Sequence, residues 1–315
     1  MIVFRDRAEI PAGFGPSAVA IGKFDGVHAG HRAIIERLKA DAAASGARAV
    51  AVTFDRNPLA LLRPDLCPEG IVNTERKLEL LAELGLDATL LVTFDEEFAA
   101  QAPETFVQDY LADALSATTV LVGDDFRFGR GGAGNPALLA ALAPRHGFRV
   151  DVVEDVFLPG SDRRISSSWI RELLAAGDVE AAARVLGRPV SLRGEVVHGL
   201  KRGRELGFPT ANLSPISDAI VPADGVYAGW LEDHDTGIRH PAAISVGTNP
   251  TFGDVLMRQV EAHIIGADDL DLYGHDVTVE FTRHLRGMIA FEGIEALKQT
   301  MAADVVEARS VLGVG

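Results

Sequence analysis

The chain has 315 residues, 47% of them apolar and 24% charged, which is enough apolar material for two globular domains. Its net charge of −15 argues against a broad nucleic-acid-binding surface, because non-specific affinity depends on many lysine and arginine contacts. The single cysteine, Cys67, excludes an internal disulfide, and no apolar run reaches the length of a membrane span. We therefore expect a cytoplasmic protein without nucleic-acid or membrane partners.

The first half of the chain alternates short apolar runs with amphipathic helical patterns. This alternation predicts a Rossmann-like α/β domain, in which a parallel sheet carries helices on both faces. A helix is expected between the first two strands, ending before Gly46. The predicted strands lie at 18–21, 47–54, 88–94, 118–122 and 148–153, and further helices lie at 74–84, 103–115 and 136–145. In such a fold the ligand binds at the carboxyl ends of the strands.

The pattern changes after residue 186. Two short helices are predicted at 167–175 and 179–186, and short alternating segments begin at Val190. Turns rich in Gly, Asp and Pro separate these segments, which predicts an antiparallel β-barrel or sandwich followed by a helix over 293–312. We therefore predict two domains, residues 1–186 and 187–315.

The stretch "GKFDGVHAGH" lies where the first strand turns into the first helix. Gly22 and Gly26 allow a sharp turn and a close backbone approach to a ligand. His28 and His31 lie three residues apart at the helix start, so both can contact one phosphate. Two other interpretations are open: the histidines cap the helix, or they bind a metal with Asp25. No "GxxxxGK[ST]" sequence is present, so this is not a P-loop.

Four stretches of the first half together resemble one family: "GKFDGVHAGH", "TFDRNP", "VGDDFRFGRGGAGN" and "RISSSWIRELLAAGDVEAAARVLGRP". They are similar to the adenylyltransferase part of the bacterial bifunctional riboflavin kinase/FAD synthetases. The second half continues the resemblance with "GEVVHGLKRGRELGFPTANL", "DGVYAGW", "ISVGTNPTFG" and "VEFTRHLRGMIAFEGIEAL". The resemblance therefore covers nearly the whole chain.

The resemblance implies that the first domain joins FMN to the adenylyl group of ATP and releases pyrophosphate. His28 and His31 would then steady the ATP phosphates, and the turn containing Gly22, Phe24, Asp25 and Gly26 would hold the nucleotide. An alternative for the Asp25 side chain is an Asx-turn bond to nearby backbone. Such transfer depends on positioning and charge neutralisation, so no covalent enzyme intermediate is expected.

A second phosphate clamp is implied at the start of a later helix. It consists of Ser166, Ser167, Ser168 and Arg171, which offer hydroxyls, free backbone N–H groups and a cation. Serines before a helix are usually N-caps, and without the resemblance they would be interpreted so.

The loop after the fourth predicted strand is implied to face the flavin or the adenine. Its candidate residues are Asp124, Phe126, Arg127 and Phe128. One position departs from the family, which usually has a histidine where this chain has Asn57. An asparagine side chain can form hydrogen bonds but cannot carry a charge, so a phosphate contact there would be neutral.

The second domain is implied to be a riboflavin kinase. The Thr210 hydroxyl and the Asn212 side-chain carbonyl are hard oxygen ligands suited to Mg²⁺. Gly199 and Gly203 would form a flap over ATP, and Glu280 would be the general base for the riboflavin 5′-hydroxyl. Two alternatives come from the residues alone: "PTAN" also passes as a turn, and a glutamate in an alternating strand is commonly solvent-facing.

The leading interpretation is a bifunctional enzyme that converts riboflavin to FMN and then FMN to FAD, using ATP and Mg²⁺. Three alternatives remain: a chain with a competent kinase alone, a non-catalytic flavin-binding protein, and a nucleotidylyltransferase for another phosphate. The substrates expected are riboflavin, FMN and ATP, with FMN and FAD as products rather than fixed prosthetic groups. A weak homo-oligomer is left open.

Overall fold

The computed structural model describes residues 1–199, 207–214, 219–248, 258–267 and 270–314. Contacts within the chain define two compact units, Met1–Ser166 and Ser167–Gly315. Each unit has its own sheet or barrel. The functional boundary at residues 186 and 187 is still a prediction.

The first unit is built on a six-stranded sheet in which all neighbouring strands are parallel. Its strands are β1 (Ile2–Phe4), β2 (Ser17–Ile21), β3 (Arg48–Phe54), β4 (Ala88–Val92), β5 (Ala117–Gly123) and β6 (Arg149–Val153). Their order is β1-β4-β3-β2-β5-β6, so the winding direction reverses between β2 and β5. The crevice outside the carboxyl ends of the strands at such a switch point is the usual ligand site.

Helices follow most of these strands. They are α1 (Ala29–Ser45), α2 (Pro58–Leu62), α3 (Thr74–Glu83), α4 (Glu96–Ala99), α5 (Pro103–Phe106) and α6 (Pro136–His146). After α5 the chain continues as a π-helix over Val107–Ala114, where the sequence pattern predicted one regular helix. The C-terminus of α1 is capped by Gly46 in the left-handed conformation, as predicted.

The sheet is buried on both faces, which explains why its strands are continuous apolar runs rather than alternating ones. On β2, Val19 and Ile21 belong to one core, which includes Leu111 from the π-helix. Ala18 and Ala20, on the other face, belong to a second core with Ile35 and Leu38 of α1 and Leu81 of α3. The predicted α/β domain is therefore confirmed.

The second unit is a closed barrel with helices at both ends of its sequence. Its elements are α7 (Ser167–Ala175), α8 (Val179–Leu186), β7 (Val190–Val197), β8 (Thr210–Leu213), β9 (Gly225–Asp233), β10 (Ile238–Thr248), β11 (Arg258–Ile264), β12 (Asp276–Arg286) and α9 (Ile294–Leu312). The barrel order is β10-β11-β8-β7-β12-β9, and all neighbouring pairs are antiparallel. The structure thus decides between the predicted barrel and sandwich in favour of the barrel.

The final helix is fixed to the barrel by packing and by a charge pair. Ala308 of α9 is buried in a cluster with Ala228, Ala243 and other barrel residues. Arg286 donates hydrogen bonds of 2.8 and 2.6 Å to the two carboxylate oxygens of Asp304 on this helix. In the part of the chain that the structure describes, no helix has both the length and the apolar character to cross a bilayer.

Candidate active sites

The stretch "GKFDGVHAGH" joins β2 to α1 through a tight, left-handed turn. Phe24, Gly26 and Val27 have φ values of 48°, 78° and 40°, and the two non-glycine side chains are buried. Positive φ is unusual for an apolar or β-branched residue, and such strain persists where the surroundings over-determine the backbone. At Gly26 a Cβ atom would also lie 3.0 Å from Ile71, so this glycine is needed for space as well.

The two histidines form a stacked pair at the N-terminus of α1. His28 is the N-cap residue, and its Nδ1 accepts a hydrogen bond of 3.3 Å from the backbone N–H of His31. The two rings are 3.6 Å apart between centroids and nearly parallel. Gly30 separates the two histidines in the sequence, and a side chain is disfavoured there because a Cβ atom would lie 3.2 Å from the His28 ring. Capping, one of the interpretations left open, is thus observed for His28, and the helix N-terminus still favours an anion.

The Asp25 carboxylate connects this turn to a distant segment. Its Oδ1 accepts a hydrogen bond of 2.9 Å from the backbone N–H of Ile71, 46 residues further along the chain. The turn is also tied to β3, because the Thr53 hydroxyl donates to the Lys23 carbonyl at 3.1 Å. The backbone that carries the histidines is therefore held by long-range bonds, which suits a preorganised anion site.

Asn57 lies just after β3, at the N-terminus of α2. Its Oδ1 accepts a hydrogen bond of 3.1 Å from the N–H of Leu59, and Pro58 occupies the first helical position. The carbonyl of this amide is therefore used for capping. A phosphate contact by Asn57 stays a prediction.

The loop after β5 combines charged residues with stacked rings. Asp124 and Asp125 face Arg164 at 3.9 and 3.4 Å. The rings of Phe126 and Phe128 stack at 5.3 Å, and the buried Phe128 packs against the core. Arg127 donates to the Phe126 carbonyl at 2.8 Å. The flavin-facing role assigned to this loop is not decided by these contacts.

Sequence reasoning missed a chain of aromatic rings at this side of the sheet. Neighbouring rings in it have centroids 5.3 to 6.0 Å apart. Its members are Phe54, Phe94, Phe98, Phe106, Tyr110, Phe126 and Phe128. Separate motifs contribute them, so no local pattern indicates that they meet.

The predicted serine clamp spans the point in the sequence where the two units divide. Ser166 is the last residue of the first unit, and α7 begins at Ser167, as predicted. Ser168 and Arg171 lie in the first turns of the same helix. Their contact with a phosphate stays a prediction.

The second site is built on one face of β8. Thr210 and Asn212 lie two residues apart, so their side chains share a face, and Asn212 Nδ2 donates to Thr210 Oγ1 at 3.3 Å. A Cβ atom on Gly199 would lie 2.4 Å from Asn212 Oδ1, which excludes any other residue there without a shift. Gly203, predicted to belong to the same flap, lies outside the described residues.

Sequence reasoning also missed Glu261, which contacts Thr210. In the pairing of β8 with β11, Glu261 is directly opposite Asn212. The Thr210 hydroxyl donates to Glu261 Oε2 at 3.3 Å. A carboxylate therefore completes the polar group on this face of the barrel.

A pocket with both polar and apolar lining opens beside Thr210 and Asn212. Thr210 and Asn212 are part of its lining. Its apolar walls come from β7, β11 and the segments next to them: Val196, Pro209, Ile264, Leu270, Leu272 and Tyr273. A pocket with apolar walls and a few convergent polar groups is typical of a nucleotide or cofactor site.

Glu280, the predicted base, lies elsewhere on the barrel. It pairs with Ser191 on β7, whereas Asn212 pairs with Val197, six residues along that strand or about 20 Å. The Glu280 carboxylate accepts a hydrogen bond of 2.5 Å from Arg239. The Arg239 guanidinium in turn stacks on the ring of Trp230, 4.4 Å from its centroid.

Fold and sites together define a class of protein. A parallel α/β unit with a nucleotidylyltransferase-like turn at its switch point is followed by a closed barrel whose pocket has polar and apolar lining. A switch-point crevice and a pocket of this kind are both typical small-molecule sites, and the helix N-terminus at the first favours a phosphate, so the class is a two-site protein that acts on nucleotide-like ligands.

Comparison with known proteins gives the family. Residues 12–169 match the FAD synthetase family, and residues 186–312 match the riboflavin kinase family. The chain is 36% identical over 296 residues to the bifunctional riboflavin kinase/FMN adenylyltransferase of Escherichia coli K12, covering 94% of this chain and 92% of that one. It is 34% identical to the Bacillus subtilis protein of the same name, covering 93% and 91%. The chain belongs to this family: it is a bifunctional riboflavin kinase and FMN adenylyltransferase.

A solved structure shares the whole fold. It is described as a macrolide-efflux protein from Streptococcus pneumoniae, and it superposes with a TM-score of 0.86 at 30% identity. The match covers 98% of both chains. The efflux description applies to that protein, and the likeness supports the two-unit architecture.

Proposed function

We propose that the pocket beside β8 is the kinase active site, in which ATP binds with a divalent cation and riboflavin is phosphorylated. Two observations support this assignment: Thr210 and Asn212 line the pocket, and the Thr210 hydroxyl contacts the Glu261 carboxylate. A hydroxyl and an amide carbonyl are hard oxygen donors, so the donor set fits Mg²⁺. When bound, this ion supplies charge neutralisation at the ATP phosphates.

Glu261, rather than Glu280, is the general base in this proposal. A base must reach the reacting hydroxyl through a hydrogen bond, and the Glu261 carboxylate already accepts one from the Thr210 hydroxyl. It takes the proton of the riboflavin 5′-hydroxyl while that oxygen bonds to the γ-phosphorus of ATP and the bond to ADP breaks. The Glu280 carboxylate is instead engaged by Arg239.

In the first unit, we assign FMN adenylylation to the crevice at the sheet's switch point. A phosphate oxygen of FMN bonds to the α-phosphorus of ATP, and the bond to pyrophosphate breaks. His28 and His31 hold the ATP phosphates at the N-terminus of α1, and the turn from Gly22 to Gly26 holds the nucleotide. A phosphate contact by Ser166, Ser167, Ser168 and Arg171 stays a separate prediction from the sequence.

The aromatic chain supports a flavin-binding role for the loop after β5. Phe54, Phe98 and Phe126 are partly buried, so each ring keeps an accessible part. A planar isoalloxazine ring stacks favourably on such side chains. We therefore retain the loop of Asp124 to Phe128 as the flavin side of the first site.

A second candidate function is a competent kinase with a weak adenylyltransferase. It is favoured by Asn57, whose neutral side chain caps α2 through its carbonyl oxygen. Chromatographic separation of flavins after incubation with riboflavin, ATP and Mg²⁺ distinguishes the two candidates. FMN followed by FAD supports both sites, FMN without FAD supports the second candidate, and bound but unconverted riboflavin contradicts both.

The cytoplasmic location, the absence of nucleic-acid and membrane partners, and the weak homo-oligomer remain predictions from composition. Fractionation of cells and light scattering of the purified chain test them. A single species at the mass of one 33.5 kDa chain would remove the homo-oligomer.

A further inference from the structure

Lys77 is a buried cation that the proposed chemistry of the first site does not use. It lies in the first half of α3, and 8% of its surface is exposed. Its ammonium donates a hydrogen bond of 2.6 Å to the carbonyl of Phe54, the last residue of β3. Lysine is among the residues least often buried, so its presence here requires an explanation.

Lys77 belongs to a short segment that holds two loops of the first site, which we call the 71–77 clamp. At one end, the N–H of Ile71 donates to Asp25 Oδ1 at 2.9 Å and so holds the turn between β2 and α1. Further along, the Thr74 hydroxyl donates to the Asp55 carbonyl at 2.8 Å. Lys77 lies one turn after Thr74 on the same face of the helix, and its ammonium donates to the carbonyl of Phe54, the residue before Asp55.

Charge adds to this arrangement. Burial lowers the pKa of Lys77 to about 8, and the carboxylates of Asp25, Asp55 and Glu75 oppose that decrease. Asp25 lies in the turn of the histidines, Asp55 follows β3, and Glu75 lies on the same helix. The cation therefore faces acidic groups on both loops that the clamp holds.

We propose that Lys77 is a positioning residue for adenylyl transfer, whose ammonium holds the end of β3 and the Asp25 turn in the arrangement that places His28 and His31. This inference rests on the assignment of FMN adenylylation to the first unit. Lys77 acts through the backbone of both loops. A substitution of Lys77 is therefore expected to lower the rate of the chemical step more than the affinity for ATP, because a misplaced group mainly weakens stabilisation of the transition state.

The test uses the full chain and four proteins: the wild type, Lys77→Met, Lys77→Arg and Lys39→Met. Lys39 is a matched control because it lies on α1 in the same unit and is partly exposed beside Glu36. FAD formation from FMN is measured together with FMN formation from riboflavin, which reports the second unit in the same sample. We expect Lys77→Met to lower kcat for FAD formation by roughly 10- to 100-fold. Lys39→Met and the kinase reaction are expected to be unchanged.

The pH dependence of FAD formation shows whether Lys77 positions the loops through its charge or has a merely structural role. As pH rises past about 8, wild-type Lys77 loses its proton, and FAD formation is expected to fall. Arginine keeps its charge throughout this range, so Lys77→Arg is expected to retain activity and to lose that decrease. The kinase reaction is expected to lack the decrease in every variant.

Two results overturn the proposal: wild-type kcat in Lys77→Met, or a decrease at high pH that Lys77→Arg leaves in place. If Lys77→Met does not fold, the comparison of the wild type with Lys77→Arg decides, and a flat wild-type profile from about pH 7 to 9.5 overturns it. A wild type that makes no FAD at any pH contradicts instead the assignment of adenylylation to the first unit, and this inference with it.

Discussion

The two candidate sites are assembled in different ways. In the first unit, one continuous turn at the carboxyl edge of a parallel sheet carries the histidines, and its backbone is held by left-handed residues and by the 71–77 clamp. In the second unit, Thr210 and Asn212 of one strand meet Glu261 of the next through antiparallel register. The first site therefore depends on backbone shape, whereas the second depends on which side chains share a strand face.

The greatest loss of activity is expected at the second site, on one face of β8. Glu261→Gln removes the proposed base while keeping the size and the hydrogen bond to Thr210. We expect FMN formation to fall by roughly 10²- to 10⁴-fold, the usual contribution of a general base. Glu280→Gln removes the charge of the pair with Arg239 and is expected to leave FMN formation intact. The opposite pattern in initial rates of FMN formation would restore Glu280 as the base.

The second site also requires a residue without a side chain at position 199. Gly199→Ala places a Cβ atom 2.4 Å from Asn212 Oδ1, so the amide must move. We expect kinase kcat to fall by roughly 100-fold. Gly287→Ala is the matched control, because Gly287 is exposed and has no atom within 4 Å of the added methyl. Equal kinase rates in both variants would show that Asn212 is not needed where it lies.

The buried Lys77 predicts an unusual pH dependence of stability in the first unit. Its pKa is lowered from 10.5 to about 8 on folding, so the unfolded chain binds more protons between these values and stability rises with pH there. The full shift corresponds to about 3 kcal/mol. Urea unfolding of the wild type and Lys77→Met, followed by circular dichroism, measures it. From about pH 8 to 10.5, the urea midpoint of the wild type should rise relative to that of Lys77→Met. A difference between the two midpoints that does not change with pH would contradict the burial of a charged lysine.

The smallest effect tests the turn of the first site. Gly26→Ala and Gly13→Ala both put alanine at a φ near +75°, which costs about 1 kcal/mol in each. Only at Gly26, of these two, does the new methyl meet a neighbour, Ile71 at 3.0 Å. We therefore expect FAD formation to fall several-fold in Gly26→Ala alone, measured with FMN and ATP. Equal rates would mean that the contact with Ile71 does not shape the site.

Much of the fold could be predicted because strands β2 to β5 of the first unit are five to seven residues long and consist mostly of buried apolar residues. The exception, β1, is three residues long and pairs with β4 at the sheet edge. A segment so short shows no periodicity. In the second unit the strands were visible as alternating segments, but the choice between barrel and sandwich depends on strand pairing.

The site residues also fall into two groups, those that a local sequence pattern indicates and those that only strand pairing brings together. The position of His28 and His31 at the start of α1 could be predicted because the motif is continuous and the turn sits directly between a strand and a helix, whereas their phosphate contacts stay a prediction. Glu261 was missed because its relation to Asn212 comes from register across 49 residues, which no local pattern contains. His275 is a similar case, because Asp233 lies 42 residues away in the sequence and the fold brings its carboxylate to 3.1 Å from His275 Nδ1.

Two separately built sites on one chain are expected to perform consecutive reactions. The most direct measurement is flavin chromatography of Glu261→Gln and of a His28→Ala/His31→Ala variant, each supplied with ATP, Mg²⁺ and either riboflavin or FMN. We predict that Glu261→Gln makes FAD from FMN but no FMN from riboflavin, and that the histidine variant makes FMN but no FAD. Loss of both reactions in either folded variant, or FAD formation by the histidine variant at the wild-type rate, would contradict the claim.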